Sequence, residues 1–189
     1  MIDELIKGNR SYRRFHQETP VSMETLKGLV NLARLSASAA NLQPLKFFLS
    51  CEPGKNAGIF SCLAWAGYLE GWPGPAEGER PAAYIVILGD TGISKNFGCD
   101  HGIAAQSILL GARDRGLGGC MLGSIQRDRL RGLLNLPEIL DILLVIALGR
   151  PKETVVLEEV SPGGDIKYWR DGQGIHHVPK RRLEDIILS

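Results

Sequence analysis

Asp100–Gly119 reads DHGIAAQSILLGARDRGLGG, and the fold turns on how this stretch is read. Asp100 opens a long helix that runs through Arg115, and Gly116 and Gly118 terminate it. Gly102 and Ala104 are small enough to let this helix pack tightly against another. The glycines follow a helix, whereas a dinucleotide fingerprint has them follow a strand. The GxGxxG pattern would also need glycine at 121, where Met121 stands. A Rossmann nicotinamide site is therefore disfavoured.

Outward from this helix, the chain alternates between helical and extended patterns. Ile2–Gly8 reads as a short helix with Ile2, Leu5 and Ile6 on one side. A basic stretch follows, Asn9–Thr19. Ser22 caps a second helix that carries Leu26, Leu29, Val30 and Ala33 at helical spacing. A small polar segment, Ser36–Gln43, ends at Pro44. Leu45–Cys51, Ala83–Leu88 and Ile142–Leu148 read as strands. Ile59–Leu69 is expected to be helical, Glu70–Pro81 to be a mobile surface loop, and Gln126–Leu134 to be a further helix. Cys120–Ile125 is a short apolar segment. The tail from Thr154 holds a hairpin around Asp171–Gly174. The long irregular tail points to an α+β fold with a mixed central sheet flanked by helices, not a doubly wound one.

Composition narrows the function. The 189 residues match one domain, and 44% hydrophobic content supplies a core. A net charge of +1 argues against a protein built to coat nucleic acid or an anionic membrane. No apolar run has the roughly 18 residues of a membrane helix. Met1–Arg10 lacks the pattern of a signal peptide, so the expected location is the cytoplasm. Cys51, Cys62, Cys99 and Cys120 lack CxxC spacing and read as free thiols. His176 and His177 are adjacent in an extended segment and read as structural, with no metal site expected.

Three groups suit a flavin. Arg10, Ser11 and Arg13, with Arg14 beside them, offer bidentate donors and a hydroxyl to a phosphate. Ser38, Ala39, Asn41 and Gln43 combine small residues with amides that both donate and accept. The third group is the long helix with the glycines after it. Each alone also fits a blander role: a solvated basic surface, an ordinary connection, an ordinary helix end.

Taken together and in order, these segments resemble the nitroreductase family of flavoproteins. Arg10-Ser11-Tyr12-Arg13-Arg14-Phe15 is similar to its amino-terminal flavin motif. Ala37–Pro44 is similar to its second motif, with Ala37 where the family usually has Pro. Asp100–Gln106 and Gly116–Gly119 match its central helix and glycine turn. Val178–Leu183 is similar to its carboxy-terminal phosphate segment.

The resemblance implies an intertwined homodimer with one FMN per site and residues 1–189 as one FMN-binding unit. It implies FMN contacts from Arg10, Ser11 and Arg13, with Arg10 at the phosphate and Arg13 at the pyrimidine edge or ribityl chain. It implies further contacts from Ser38, Ala39 and Asn41, the first two from the partner subunit. Met121, Leu122 and Gly123 line the ring, and Lys180 and Arg182 complete the phosphate site. The family often carries Thr and Trp at 119 and 121, so Gly119 and Met121 are expected to leave the ring less crowded. The implied activity passes reducing equivalents from NADH or NADPH through FMN to a small-molecule acceptor such as a nitroaromatic or quinone, by a ping-pong mechanism with no catalytic side chain. A flavin reductase, a reductive dehalogenase, a flavin-binding redox sensor and a non-redox anion-binding module are the alternatives. Trp72, among Gly and Pro, is the candidate pocket lid.

Overall fold

The structure is a computed structural model that describes residues 2–188. Its helices are α1 (Ile2–Gly8), α2 (Met23–Arg34), α3 (Pro53–Phe60), α4 (Asp100–Asp114) and α5 (Arg127–Leu134). Its strands are β1 (Leu45–Ser50), β2 (Ala83–Asp90), β3 (Gly118–Leu122), β4 (Leu140–Gly149), β5 (Val155–Val160), β6 (Trp169–Arg170) and β7 (His176–Arg181).

Strands β1-β2-β4-β3 form one sheet, and β5-β7-β6 form a second. β2 is apolar at nearly every position, so its period-two side chains need cover on both faces. Ala83, Ile85 and Ile87 pack with Leu26 and Leu29 of α2 and with Ala105, Ile108 and Leu109 of α4. Tyr84, Val86 and Leu88 pack on the other side with Ile59 of α3 and with Leu130 and Leu134 of α5. The result is helices on both faces of a buried sheet, and the polar chemistry is left to the rims.

The α+β class expected from the sequence is the class observed. The strand pairing differs in detail. The four-stranded central sheet is antiparallel throughout. The parallel pairing that makes a mixed sheet lies in the tail, where β5 runs beside β7 while β6 pairs with β7 in the opposite sense. The expected hairpin turns at Asp171, whose Oδ1 accepts the N–H groups of Gln173 and Ile175 at 2.9 and 2.8 Å.

Two connections depart from expectation. The helix expected over Ile59–Leu69 lies earlier, at Pro53–Phe60, with Pro53 in its first turn. Leu63 instead bridges Ile125, Ala64 N–H donates to Ser124 at 3.0 Å, and Ala66 takes φ 39°. Long-range pairing overrides the helical spacing of the apolar residues. The 70–81 stretch has no helix or strand but is fastened down. Gln17 Oε1 accepts from Gly78 and Arg80, Glu79 pairs with Arg14, and Trp72 packs on the second core beneath the Arg170 guanidinium. That placement gives Trp72 a packing role in place of the lid expected of it.

Gly116 ends α4 with φ 73°, in the left-handed region that glycine favours. Gly119 serves another purpose: a Cβ there would run into the Ala147 carbonyl oxygen and the Leu109 and Leu148 side chains. Its smallness is a demand of sheet and helix packing, not an opening of a ligand face. Gly119→Ala is expected to cost about 1–3 kcal/mol, read as a lower urea midpoint at unchanged slope. Gly123→Ala, where a Cβ meets nothing within 4 Å, should leave the midpoint nearly unmoved.

Candidate functional site

Tyr12 N–H donates to Gly119 O at 3.0 Å, and Ser11 bridges Gly119 in parallel. These contacts lay the basic stretch after α1 along the edge of β3. The tail then brings β7 to the same edge. Asn9, Arg10, Ser11, Arg13, Tyr168, His176, Val178 and Lys180 line one cleft of about 340 Å³. Cations from both ends of the chain therefore share one site.

The charges around this cleft are sorted by their partners. Arg14 grips Glu79 with two bonds of 2.6 Å, and Lys152 adds a third contact at 3.1 Å. These hydrogen bonds, Arg14's first, hold the Glu79 carboxyl down at about 2. Glu153 accepts the backbone N–H groups of Arg13 and Arg14 on one oxygen and pairs with Arg170 at 2.9 Å on the other. Among the described residues, no carboxylate lies within 4.0 Å of the charged groups of Arg10, Arg13 or Lys180. Arg10 donates to Ile6 O at 2.6 Å, and its Nε is buried without a partner. Three cations without carboxylate partners give this cleft a positive potential, which favours an anion over a cation or a neutral group.

Other residues singled out in the sequence fall elsewhere. Arg182 turns to Glu184 and Asp185, each at 3.3 Å, and does not line the cleft. Ser38 and Ala39 belong to a separate site, a cleft of about 160 Å³ that Ser38 lines with Asp100, Ala104 and Phe47. There Ser38 Oγ–H donates to Asp100 Oδ2 at 2.6 Å and Ala39 N–H to Oδ1 at 3.0 Å, on a carboxylate that is 4% exposed. Ser38 Oγ in turn accepts from Gln43 N–H at 2.9 Å. These bonds hold Ala40, Asn41 and Gln43 at φ 49°, 53° and 52°, left-handed conformations that asparagine tolerates and that cost roughly 1–2 kcal/mol each at Ala40 and Gln43. Strain of this kind gathers where a loop is shaped for a ligand. Met121 is 39% exposed on β3, Leu122 is buried on the opposite face, and Gly123 is exposed just beyond.

Sequence reasoning misses Glu79, Glu153 and Tyr168, and it gives His176 and His177 no acidic partners. His177 Nδ1 lies 2.5 Å from Glu158 and Nε2 lies 3.3 Å from Asp171, with the Trp169 ring stacked 4.0 Å away. Burial opposes charge on His177, but hydrogen bonds to the two carboxylates outweigh it and raise its pKa. His176 is fully buried, and its Nε2 sits 3.2 Å from Arg13 Nη1. Burial, reinforced by Arg13, Arg170 and His177, pushes His176 down to about 4.

A sequence model of the Nitroreductase family matches residues 6–60 and 79–150. An Archaeoglobus fulgidus protein, provisionally named an NADH dehydrogenase/NAD(P)H nitroreductase, is 28% identical over 148 residues, covering 74% of this chain and 80% of that protein. A chloronitrobenzene nitroreductase from Comamonas testosteroni is 25% identical, covering 85% of this chain and 91% of its own. Among solved structures, an FMN-dependent nitroreductase from Clostridium difficile superposes with a TM-score of 0.67 at 23% identity, covering 80% of this chain and 88% of its own. That likeness is one of fold. No helix among the described residues is long and apolar enough to cross a membrane.

The two histidines give opposite pH signatures. An unfolded His176 takes a proton near 6.5 and the buried one only near 4, so its contribution to stability is lost as pH falls through that window. His177, with its raised pKa, contributes fully below 6.5 and loses that contribution as pH rises through its folded pKa. His176→Gln should flatten the acid side of a urea-stability profile and His177→Gln the side above 6.5. An unaltered acid slope in His176→Gln would contradict a neutral buried imidazole.

Proposed function

Because the chain belongs to the nitroreductase family, we propose that it is an FMN-dependent oxidoreductase that takes electrons from NADH or NADPH and passes them to a small acceptor such as a nitroaromatic or quinone. One observation carries the FMN reading: Arg10, Arg13 and Lys180 converge on a single cleft, and no carboxylate among the described residues lies within 4.0 Å of their charged groups. A phosphomonoester is the anion that such a cleft suits, since guanidinium forks match its oxygens and each charged hydrogen bond adds about 1.5–3 kcal/mol. Arg10 Nε is buried with no partner among the described residues, and a phosphate oxygen would satisfy it if the side chain turned into the cleft.

FMN, when bound, supplies two-electron chemistry between donor and acceptor. The chain's own residues bind and orient it. Arg10, Ser11 and Lys180 would hold the phosphate end, with Arg13 farther along the cleft as the cation that faces charge developing on reduction. Arg182, paired with its own neighbours, would have to leave Glu184 and Asp185 to join them. No side chain need move a proton, since solvent can protonate a reduced acceptor. One face used first by the donor and then by the acceptor gives parallel double-reciprocal plots.

We assign residues 1–189 to one FMN-binding unit that works as a homodimer. The Ser38 cleft and the Arg10 cleft share no lining residue, and in this reading Ser38, Ala39 and Asn41 of a second copy would meet the flavin beside Met121 and Gly123, while Leu122, buried in the second core, would back the site from the other face of β3. Uncovered apolar side chains fit that need. Ile2 and Ile6 of α1 are exposed, as are Leu183, Ile186, Ile187 and Leu188 at the chain end.

Purified protein incubated with FMN and desalted should absorb in the blue. Arg10→Ala and Lys180→Ala should each weaken FMN binding about tenfold and reduce its salt dependence. A colourless protein, or variants with unchanged affinity, would overturn this reading.

A further inference from the structure

Arg13 and Arg14 are neighbours in one motif, yet the structure gives them different partners. Arg14 is neutralised by the paired carboxylate of Glu79. Among the described residues, the Arg13 side chain has only neutral contacts. Its Nη1 donates to Ser11 O at 3.2 Å and lies 3.2 Å from His176 Nε2, and its guanidinium sits 4.7 Å from the centre of the Tyr168 ring. A guanidinium only donates, so Nε2 must present its lone pair and the ring proton must sit on Nδ1. That Nδ1 is buried without a partner among the described residues, an unfavourable arrangement that only a gain elsewhere would retain. Tyr168 is itself wedged between Tyr68 at 5.0 Å and His176 at 5.2 Å. Both Tyr168 and His176 lie past residue 150, where the family match ends.

We propose that His176 and Tyr168 are positioning residues that orient Arg13 through neutral contacts, so that its full positive charge stays available to an anionic ligand in the cleft. This rests on the FMN reading for the identity of that ligand, but not for the clamp itself. A carboxylate in the same place would orient Arg13 equally well and cancel its charge. The charged groups around His176 are consistent with this division. Arg13, Arg170 and His177 face it, while Glu153 is taken up by two backbone N–H groups and Arg170, and Glu158 and Asp171 by His177. The imidazole stays neutral through the physiological range because burial beside those cations holds its pKa near 4.

The test compares His176→Gln, His176→Glu, Tyr168→Phe and Tyr168→Leu with the wild type. Each is checked for native circular dichroism and titrated with FMN by fluorescence quenching at several salt concentrations. The midpoint potential of the bound flavin is measured alongside. His176→Gln and Tyr168→Phe should bind FMN within about threefold of wild type. His176→Glu should bind at least about tenfold more weakly, with a shallower salt dependence and a more negative potential. Tyr168→Leu should weaken binding several-fold and carries the test if His176→Glu does not fold. Wild-type affinity, salt slope and potential in both His176→Glu and Tyr168→Leu would overturn the clamp. A wild type that takes up no FMN would sink the functional reading alone. The same series read by thermal shift with pyrophosphate would then support the clamp if it kept this order and overturn it if all variants behaved alike.

Discussion

The Glu153 carboxylate is the contact on which the rest of the site depends. Its side chain is fully buried and holds three groups: the backbone N–H of Arg13, the backbone N–H of Arg14, and the Arg170 guanidinium. A buried carboxylate is tolerable only when it is satisfied in this way, and removing one partner of such a pair costs about 3–5 kcal/mol. Through it, the stretch after α1 and the tail sheet are tied to the segment that leaves β4. Arg14–Glu79 and Phe15 N–H to Glu79 O then bring in the connection before β2. Four stretches far apart in sequence meet at two carboxylates.

This arrangement decides where positive charge is left over. Glu79 and Glu153 are saturated by Arg14, Lys152 and Arg170, so they cannot quench Arg10, Arg13 and Lys180 nearby. The buried two-faced sheet adds its own constraint. With α2 and α4 on one side and α3 and α5 on the other, polar chemistry gathers at the rims, among them the edge of β3 and the start of α4. Those are the places where the two clefts lie. At the second, Asp100 opens α4 and holds the strained Ser38–Gln43 turn by two hydrogen bonds. One carboxylate thus links the small-residue loop to the long central helix.

Much of this is legible in the chain. The short apolar runs and the helical patterns place β1, β2, β4, α2, α4 and α5 to within a few residues, since local apolar spacing and burial agree in them. The basic motif, the Ser38 loop and the glycine turn are visible because their residue types are unusual for their positions. Pairings at long range escape such a reading. Arg13 and His176 are 163 residues apart, Arg13 and Glu153 are 140 apart, and Arg14 and Glu79 are 65 apart. No local pattern marks a glutamate in an irregular stretch as the anchor of a distant arginine. The Ile59–Leu69 segment departs from its pattern for a related reason: Leu63 and Ala64 pair with Ile125 and Ser124, and that pairing outweighs a helical spacing of apolar residues. Gly119 reads in sequence as an opened ligand face, but packing against Ala147 and Leu109 explains it.

In the proposed dimer, cations from both ends of one protomer and the strained loop of a second close on the same phosphorylated flavin. A crystal structure grown with excess FMN tests this most directly. One FMN per chain is expected at a two-fold interface, its phosphate within hydrogen-bond distance of Arg10 and Lys180, and the partner's Ser38 loop against the ring system. A monomer, or FMN bound away from these cations, would contradict it.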